Sequence, residues 1–136
     1  MRRFEIPHPE VKVTADGGRV RPQDLLHVEA RRVDAGAEVL VVSGEVDLLS
    51  AGILETAIAA ALGRGPALLV IDLTGVSFLA SVGMTVLLKA HRDVGDTARL
   101  RVVTPERSTV GRALKLTGLN GALAVVGTLA EALPDR

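Results

Sequence analysis

Hydrophobic and polar positions along the chain change period several times, and each change marks an element. Leu25 to Val33 alternates: Leu26, Val28 and Ala30 share one face, while His27, Glu29 and Arg31 share the other. That period of two predicts a half-buried strand. Asp34, Ala35 and Gly36 supply turn residues, and "AEVLVVSGEV" follows as a second, more apolar strand. The pair predicts an antiparallel hairpin. The period then lengthens. Leu54, Ile58, Ala61 and Leu62 recur at i, i+4, i+7 and i+8, one face of a helix with Ser50 as its expected N-cap, stopped by "GRGP".

"ALLVIDL" is a continuous apolar run of strand length, the pattern of a strand covered on both faces. A loop over Thr74–Ala80 is expected after it, then a helix from about Ser81 with Met84, Leu87, Leu88 and His91 on its inner stripe. "ARLRVVT" predicts another strand. Thr104-Pro105 reads as the next helix start, with Val110, Ala113, Leu114 and Thr117 along its face and Gly118 ending it. "ALAVV" predicts a short last strand. Thr128 and Glu131 fit a T-x-x-E capping box for a final helix.

Strand, strand, then alternating helix and strand predicts an α/β fold. Its mixed, mainly parallel sheet has about four to five strands, packed with about four helices. Residues 1–23 differ: "IPHPEVKVTADGGRVRPQD" mixes Pro, Gly and charge with little period. They read as an N-terminal arm, with a short strand near Val11–Thr14, joined to a domain spanning residues 24–136.

Composition narrows the function. Lys plus Arg and Asp plus Glu are 16 each, so no basic surplus points to nucleic acid. Aromatics are only 1% of the chain, which removes base-stacking platforms and requires an aliphatic core. The absence of Cys excludes thiolate chemistry and fits a cytoplasmic location. No apolar run reaches the roughly 20 residues that would insert in a membrane, and no apolar segment follows Arg2 and Arg3 as a secretory signal requires.

Function in open α/β sheets collects beyond the carboxyl ends of the parallel strands. Ser81 lies there, at or near a helix N-terminus, where a phosphate would meet free N–H groups and a positive dipole end. "LASVG" has Leu79 where a nucleophile elbow needs Gly, and neither a Walker A nor a G-x-G-x-x-G is present. His8, His27 and His91 lack metal-ligand spacing. The expectation is therefore no enzyme, no cofactor and no metal. A nucleotide binder in the same crevice is the weaker alternative, since no Gly-rich phosphate cradle is present.

Four segments carry a resemblance: "SGEVD" (43–47), "LLVIDLTGVSFLASVGMTVLL" (68–88), "LKLTGL" (114–119) and "GTLAEAL" (127–133). Together and in this order they resemble the STAS-domain anti-sigma factor antagonists of bacteria, over nearly all of the chain from residue 24. The resemblance implies a single STAS-like domain that binds an anti-sigma factor and so releases a sigma factor. It implies that the partner is a serine-protein kinase of the histidine-kinase-like ATPase type, opposed by a phosphatase. By position it assigns the phosphoacceptor to Ser81. Partner contacts fall on Glu45, Asp47, Ala80, Ser81, Val82, Gly83 and Met84, with Gly83 offering bare backbone to the partner. Two positions depart from the family pattern: Ala80 stands where an Asp is usual, and Val82 where a Ser or Thr is usual. The same fold also serves as a regulatory or scaffold subunit of transport or sensory complexes, without phosphorylation, and this is the rival role.

Overall fold

A computed structural model describes residues 12–13, 19–34, 36–95 and 98–134. Most of residues 1–23, expected to form an arm, lies outside the described residues. Within that stretch β1 (Lys12–Val13) pairs antiparallel with β2 (Arg19–Val20), and a single helical turn, α1 (Pro22–Leu25), leads directly into the main sheet.

The main sheet is built from β3 (Leu26–Asp34), β4 (Ala37–Val46), β5 (Leu68–Leu79), β6 (Arg99–Val103) and β7 (Val125–Val126), side by side in that order. β3 and β4 form the expected antiparallel hairpin, closed by Asp34, whose Oδ1 accepts from the N–H groups of Gly36 and Ala37. The other three pairings are parallel. Intervening helices are α2 (Ala51–Gly63), α3 (Ser81–Val94), α4 (Thr109–Leu116), α5 (Leu119–Ala122) and, at the end, α6 (Leu129–Ala132).

Alternation within the central strands sorts the core onto two faces. Leu40, Val42, Leu69, Ile71 and Val102 pack with Leu54 and Ile58 of α2, Leu87 of α3 and Leu114 of α4. Val39, Val70 and Val103 point the other way, onto a smaller cluster with Ala132 of α6. Both faces of β4 and β5 are therefore covered, which explains their unbroken apolar runs.

Several local expectations are corrected. β5 does not end near Leu73: it runs to Leu79, so Thr74–Ala80 is mostly strand. Two register shifts against β4 accommodate it, with Val41 opposite Asp72 and Ser43 opposite Gly75, then Gly44 opposite Val76 and Glu45 opposite Phe78. Each shift spends one extra residue of β5, the mark of a β-bulge. Asp72 closes the first by accepting the Thr74 N–H at 2.9 Å. Val76 and Leu79 then supply the inward positions.

The inner stripe of α3 is Gly83, Val86, Leu87, Ala90 and Val94; of the expected Met84, Leu87, Leu88 and His91, only Leu87 is on it. Larger side chains sit on the margins because this helix lies close against β4 and β5. α4 starts at Thr109 rather than at Pro105. The Thr104 N–H still donates to Val126 O (2.9 Å), so the chain has not yet left the β6–β7 ladder, and Ser108 is the cap, accepting from the Gly111 N–H at 3.0 Å. Gly118 follows α4 with φ of 78°, the left-handed conformation expected of a helix-ending glycine. β7 is only Val125–Val126, because Ala122 belongs to α5. Thr128 caps α6 by accepting from the Glu131 N–H.

Candidate functional site

The loop leaving β4 is built around Asp47 and Ser50. Ser50 does not cap α2 through its side chain, as the sequence suggested. It is completely buried, and its hydroxyl donates to Glu45 O at 2.6 Å while accepting the Asp47 N–H at 3.0 Å. Asp47 Oδ1 instead accepts the N–H groups of Leu49 (3.0 Å) and Ser50 (3.2 Å), and Asp47 O accepts that of Ala51. The Asp47 side chain is 7% exposed and serves this turn. Glu45, half-buried, lies opposite Phe78 in the parallel ladder.

The second loop is only Ala80. Its N–H donates to Val46 O at 2.8 Å, so the two chain ends are stitched together where β4 and β5 finish. This brings the 45–47 segment beside the start of α3, as expected. Ala80, not Ser81, is the N-cap residue; it is extended (φ −76°, ψ 167°) and its carbonyl accepts from Gly83 N and Met84 N. Ala has no side-chain oxygen, and the first turn of α3 carries no acid, so no side chain caps this helix. Helix geometry leaves the Ser81 and Val82 amides without an intrahelical acceptor.

Ser81 is the first helical residue. It is exposed, and its hydroxyl has no hydrogen bond among the described residues, although Thr85 Oγ1 donates to the Ser81 carbonyl. Among those residues no His or acid engages it as a base. Val82 and Met84 are half-buried at its sides. Gly83 faces inward instead of toward a partner. A Cβ there would sit 2.5 Å from Leu79 Cδ1 and 2.6 Å from Val46 Cγ1, so this glycine sets how closely α3 approaches the sheet.

Two residues of this surface were missed in the sequence. Leu48 is 53% exposed in the loop after Asp47, and Phe78 is 48% exposed on the outward face of β5, three residues before Ser81. Phe78 is one of only two aromatic residues in the chain, a signal already present in the composition. Large apolar side chains left in water beside a polar group mark an interaction surface more than a core.

Among the described residues, no three His, Asp or Glu side chains converge as a metal site would need, and no helix is long and apolar enough to cross a membrane. The neighbouring strand-end crevice is lined by Thr104, Glu106, Asn120 and Glu131, with no Lys or Arg in its lining to attract phosphate.

The assembly is thus an α/β domain that holds an uncommitted hydroxyl on a helix start, beside the end of β4 and the half-buried Glu45, with Leu48 and Phe78 exposed in the adjoining segments. Comparison with known proteins places it further. The STAS domain family model matches residues 30–132. The chain is 38% identical over 98 residues to the anti-sigma-F factor antagonist RsfB of Mycobacterium tuberculosis, covering 72% of this chain and 80% of that protein. A crystal structure of an anti-sigma factor antagonist from Mycobacterium paratuberculosis superposes with a TM-score of 0.74 at 35% identity, covering 83% of this chain and 95% of that one. Unphosphorylated SpoIIAA, at 19% identity and a TM-score of 0.63, shares the fold over 78% of this chain and 92% of its own. The chain belongs to the STAS-domain family of anti-sigma factor antagonists.

Proposed function

We propose that this protein binds an anti-sigma factor and so releases a sigma factor, and that phosphorylation of Ser81 ends the binding. One observation carries the reading: the Ser81 hydroxyl is exposed and unbonded at the start of α3, three residues after exposed Phe78 and next to the β4 end that leads into exposed Leu48. The likeness to proteins named as anti-sigma factor antagonists supports it. Leu48, Phe78, Val82 and Met84 supply apolar contact, and Glu45 supplies charge at the rim. Ala80 and Gly83 shape this surface from beneath, and Asp47 holds its loop.

A phosphate on Ser81 adds about −1.5 to −2 charges. The open amides at the helix start tolerate it, so the domain stays folded. A partner carboxylate about 6 Å away would be repelled by roughly 3 kcal/mol per charge at an effective dielectric of about 20. That is about a hundredfold in affinity. The partner is proposed to be a serine-protein kinase of the histidine-kinase-like ATPase type, with a phosphatase reversing the mark. Ala80 removes the usual acid before the phosphoacceptor, so kinase recognition must draw on other groups, of which half-buried Glu45 is the acid available in the neighbouring segment.

Affinity capture with wild-type, Ser81→Ala and Ser81→Asp baits tests this. Wild type and Ser81→Ala are expected to retain a kinase-like ATPase that Ser81→Asp loses, with phospho-Ser81 found by mass spectrometry. Retention of one transporter or sensory subunit by all three baits would sink the proposal in favour of the scaffold role.

A further inference from the structure

Helix α2 has almost no polar side. Leu54, Ile58 and Ala61 face the core, while the exposed positions are Gly52, Glu55, Thr56, Ala59, Ala60 and Gly63, with one charge among them. A surface helix ordinarily carries charged residues on its outer face, and one apolar all round is covered. Glu55 does not supply that face: it lies toward α3, where Lys89 Nζ donates to its Oε2 at 3.4 Å. Beside the row Gly52, Thr56 and Ala60 runs an open groove lined by Ile53 and Ala57 of α2, Val28 of β3 and Pro22 of α1, with no charged residue in its lining.

We infer that a second copy of this chain covers this face, through an antiparallel α2–α2 contact centred on Thr56. The helix ends choose the direction. The first turn of α2 carries no acid, its last turn carries no base, and no side chain caps its start. Arg64, just past its end, is taken by Glu38. The partial charges at the two ends are therefore left for a neighbour. α3 does not answer them, because both helices connect parallel strands and run the same way. A second α2 related by a two-fold axis across the helix runs the opposite way, and sets the positive end of each against the negative end of the other. Gly52, Thr56 and Ala60 recur every four residues and share one face. Centring on Thr56, their midpoint, places Gly52 against Ala60 of the second copy and engages the whole row. Centring on Glu55 would oppose two carboxylates. With no side chain larger than Thr in the row, the axes approach to the near end of the roughly 8–10 Å range of packed helices.

One helix pair with its flanking grooves offers fewer than the roughly 20–30 residues a side of a standard interface. The dimer therefore belongs to the weak class and fills as protein concentration rises. Leu48 stands just before α2, so this arrangement brings it over the Gly63 end of the second helix. Self-association then competes with the partner binding proposed above; that consequence rests on the proposed partner surface, whereas the dimer itself does not.

The chain has no Cys, so a single introduced thiol reports only on contact between copies. Facing Cα atoms, each about 2.3 Å from its helix axis, come within roughly 3.5–5.5 Å, which a disulfide can span. With oxidised glutathione as electron acceptor, full-length Thr56→Cys is expected to form a covalent dimer. Leu116→Cys, at the most exposed large apolar position, is expected to stay largely monomeric. Mixed Gly52→Cys and Ala60→Cys proteins are expected to link to each other faster than either links to itself, as the antiparallel register requires. Ala60→Lys leaves α2 folded, since Lys is a good helix former and its cation lies near the helix end, but it sets that cation against the start of the second helix. Added to Thr56→Cys, it is expected to slow cross-linking at least about tenfold. Equal cross-linking of the Thr56→Cys and Leu116→Cys proteins, a rate indifferent to Ala60→Lys, or no preference in the mixture overturns the inference. So does unmodified protein that sediments as a monomer at the highest attainable concentration.

Discussion

Gly83→Ala tests the claim that α3 is set against the sheet by a missing side chain. The added Cβ would lie 2.5 Å from Leu79 Cδ1 and 2.6 Å from Val46 Cγ1. Carbon atoms rest at roughly 3.5–4.0 Å, so about 1 Å must be found on each contact. Leu79 can yield only by rotating into a filled core, since it is 5% exposed. Val46 is fully buried and β-branched, and its carbonyl holds the Ala80 N–H, so the wall and the helix start are tied together. Overpacking of this kind costs about 1–3 kcal/mol. Replacing Gly by Ala within a helix returns at most about 1 kcal/mol. The net expectation is a loss of about 1–2 kcal/mol, read by urea denaturation, and a Tm lower by roughly 3–10 °C for a domain of this size. Combining Gly83→Ala with Val46→Ala removes one side of the clash, so the double variant should lose at least about 1 kcal/mol less than the two single losses summed. A Gly83→Ala protein as stable as wild type, or strict additivity of the pair, would refute the close-approach argument.

Ser81→Ala should change stability by less than about 0.5 kcal/mol, because the Ser81 hydroxyl makes no bond in the fold; a loss near 1 kcal/mol in thermal or chemical melts would mean that it caps α3 after all. Ser50→Ala should cost about 1–3 kcal/mol, since it removes the hydroxyl that bonds both the Glu45 carbonyl and the Asp47 N–H, and a neutral result would show that the turn rearranges. The Glu38 carboxyl is held below its ordinary value of 4.5 chiefly by hydrogen bonds from Arg64. Its folded-state pKa is lowered, so its contribution is complete above the unfolded value and is lost as pH falls through the folded one. Glu38→Gln should therefore cost about 1.5–3 kcal/mol at neutral pH and should flatten the wild-type decline in stability below pH 4.5; parallel pH curves for the two proteins would count against the pair.

The strand and helix order was legible in the periods of the sequence because the central strands are buried on both faces and α2 on one. The errors share a cause. Side-chain bulk favours Met84, Leu88 and His91 over Gly83 and Ala90, yet α3 presents its small residues inward, since closeness to β4 and β5 matters more there than size. Thr74–Phe78 reads as a loop because Thr, Gly and Ser dominate it, and what makes it strand is pairing with Ser43–Glu45, which lies more than thirty residues away. Thr104-Pro105 has good helix-start chemistry, but the Thr104 N–H is already claimed by Val126. In each case a long-range partner overrode a sound local preference.

The site divides along the same line. Ser81 at a helix start, with the 45–47 segment nearby, followed from motif and order. What the sequence could not apportion was labour within the motif. Asp47 and Gly83 look like surface features beside Glu45 and Ser81, but one is turned into its own loop by the Leu49 and Ser50 amides and the other into the core by Val46 and Leu79. Both therefore act on any partner indirectly, by fixing where Ser81 and Leu48 stand. Leu48 and Phe78 run the other way: apolar letters that the fold leaves outside. With its acid and its glycine kept for scaffolding and its leucine and phenylalanine exposed, the proposed partner surface would draw affinity from apolar burial. In the proposed switch, a charge placed on the Ser81 hydroxyl must be desolvated before the apolar neighbours can close over it.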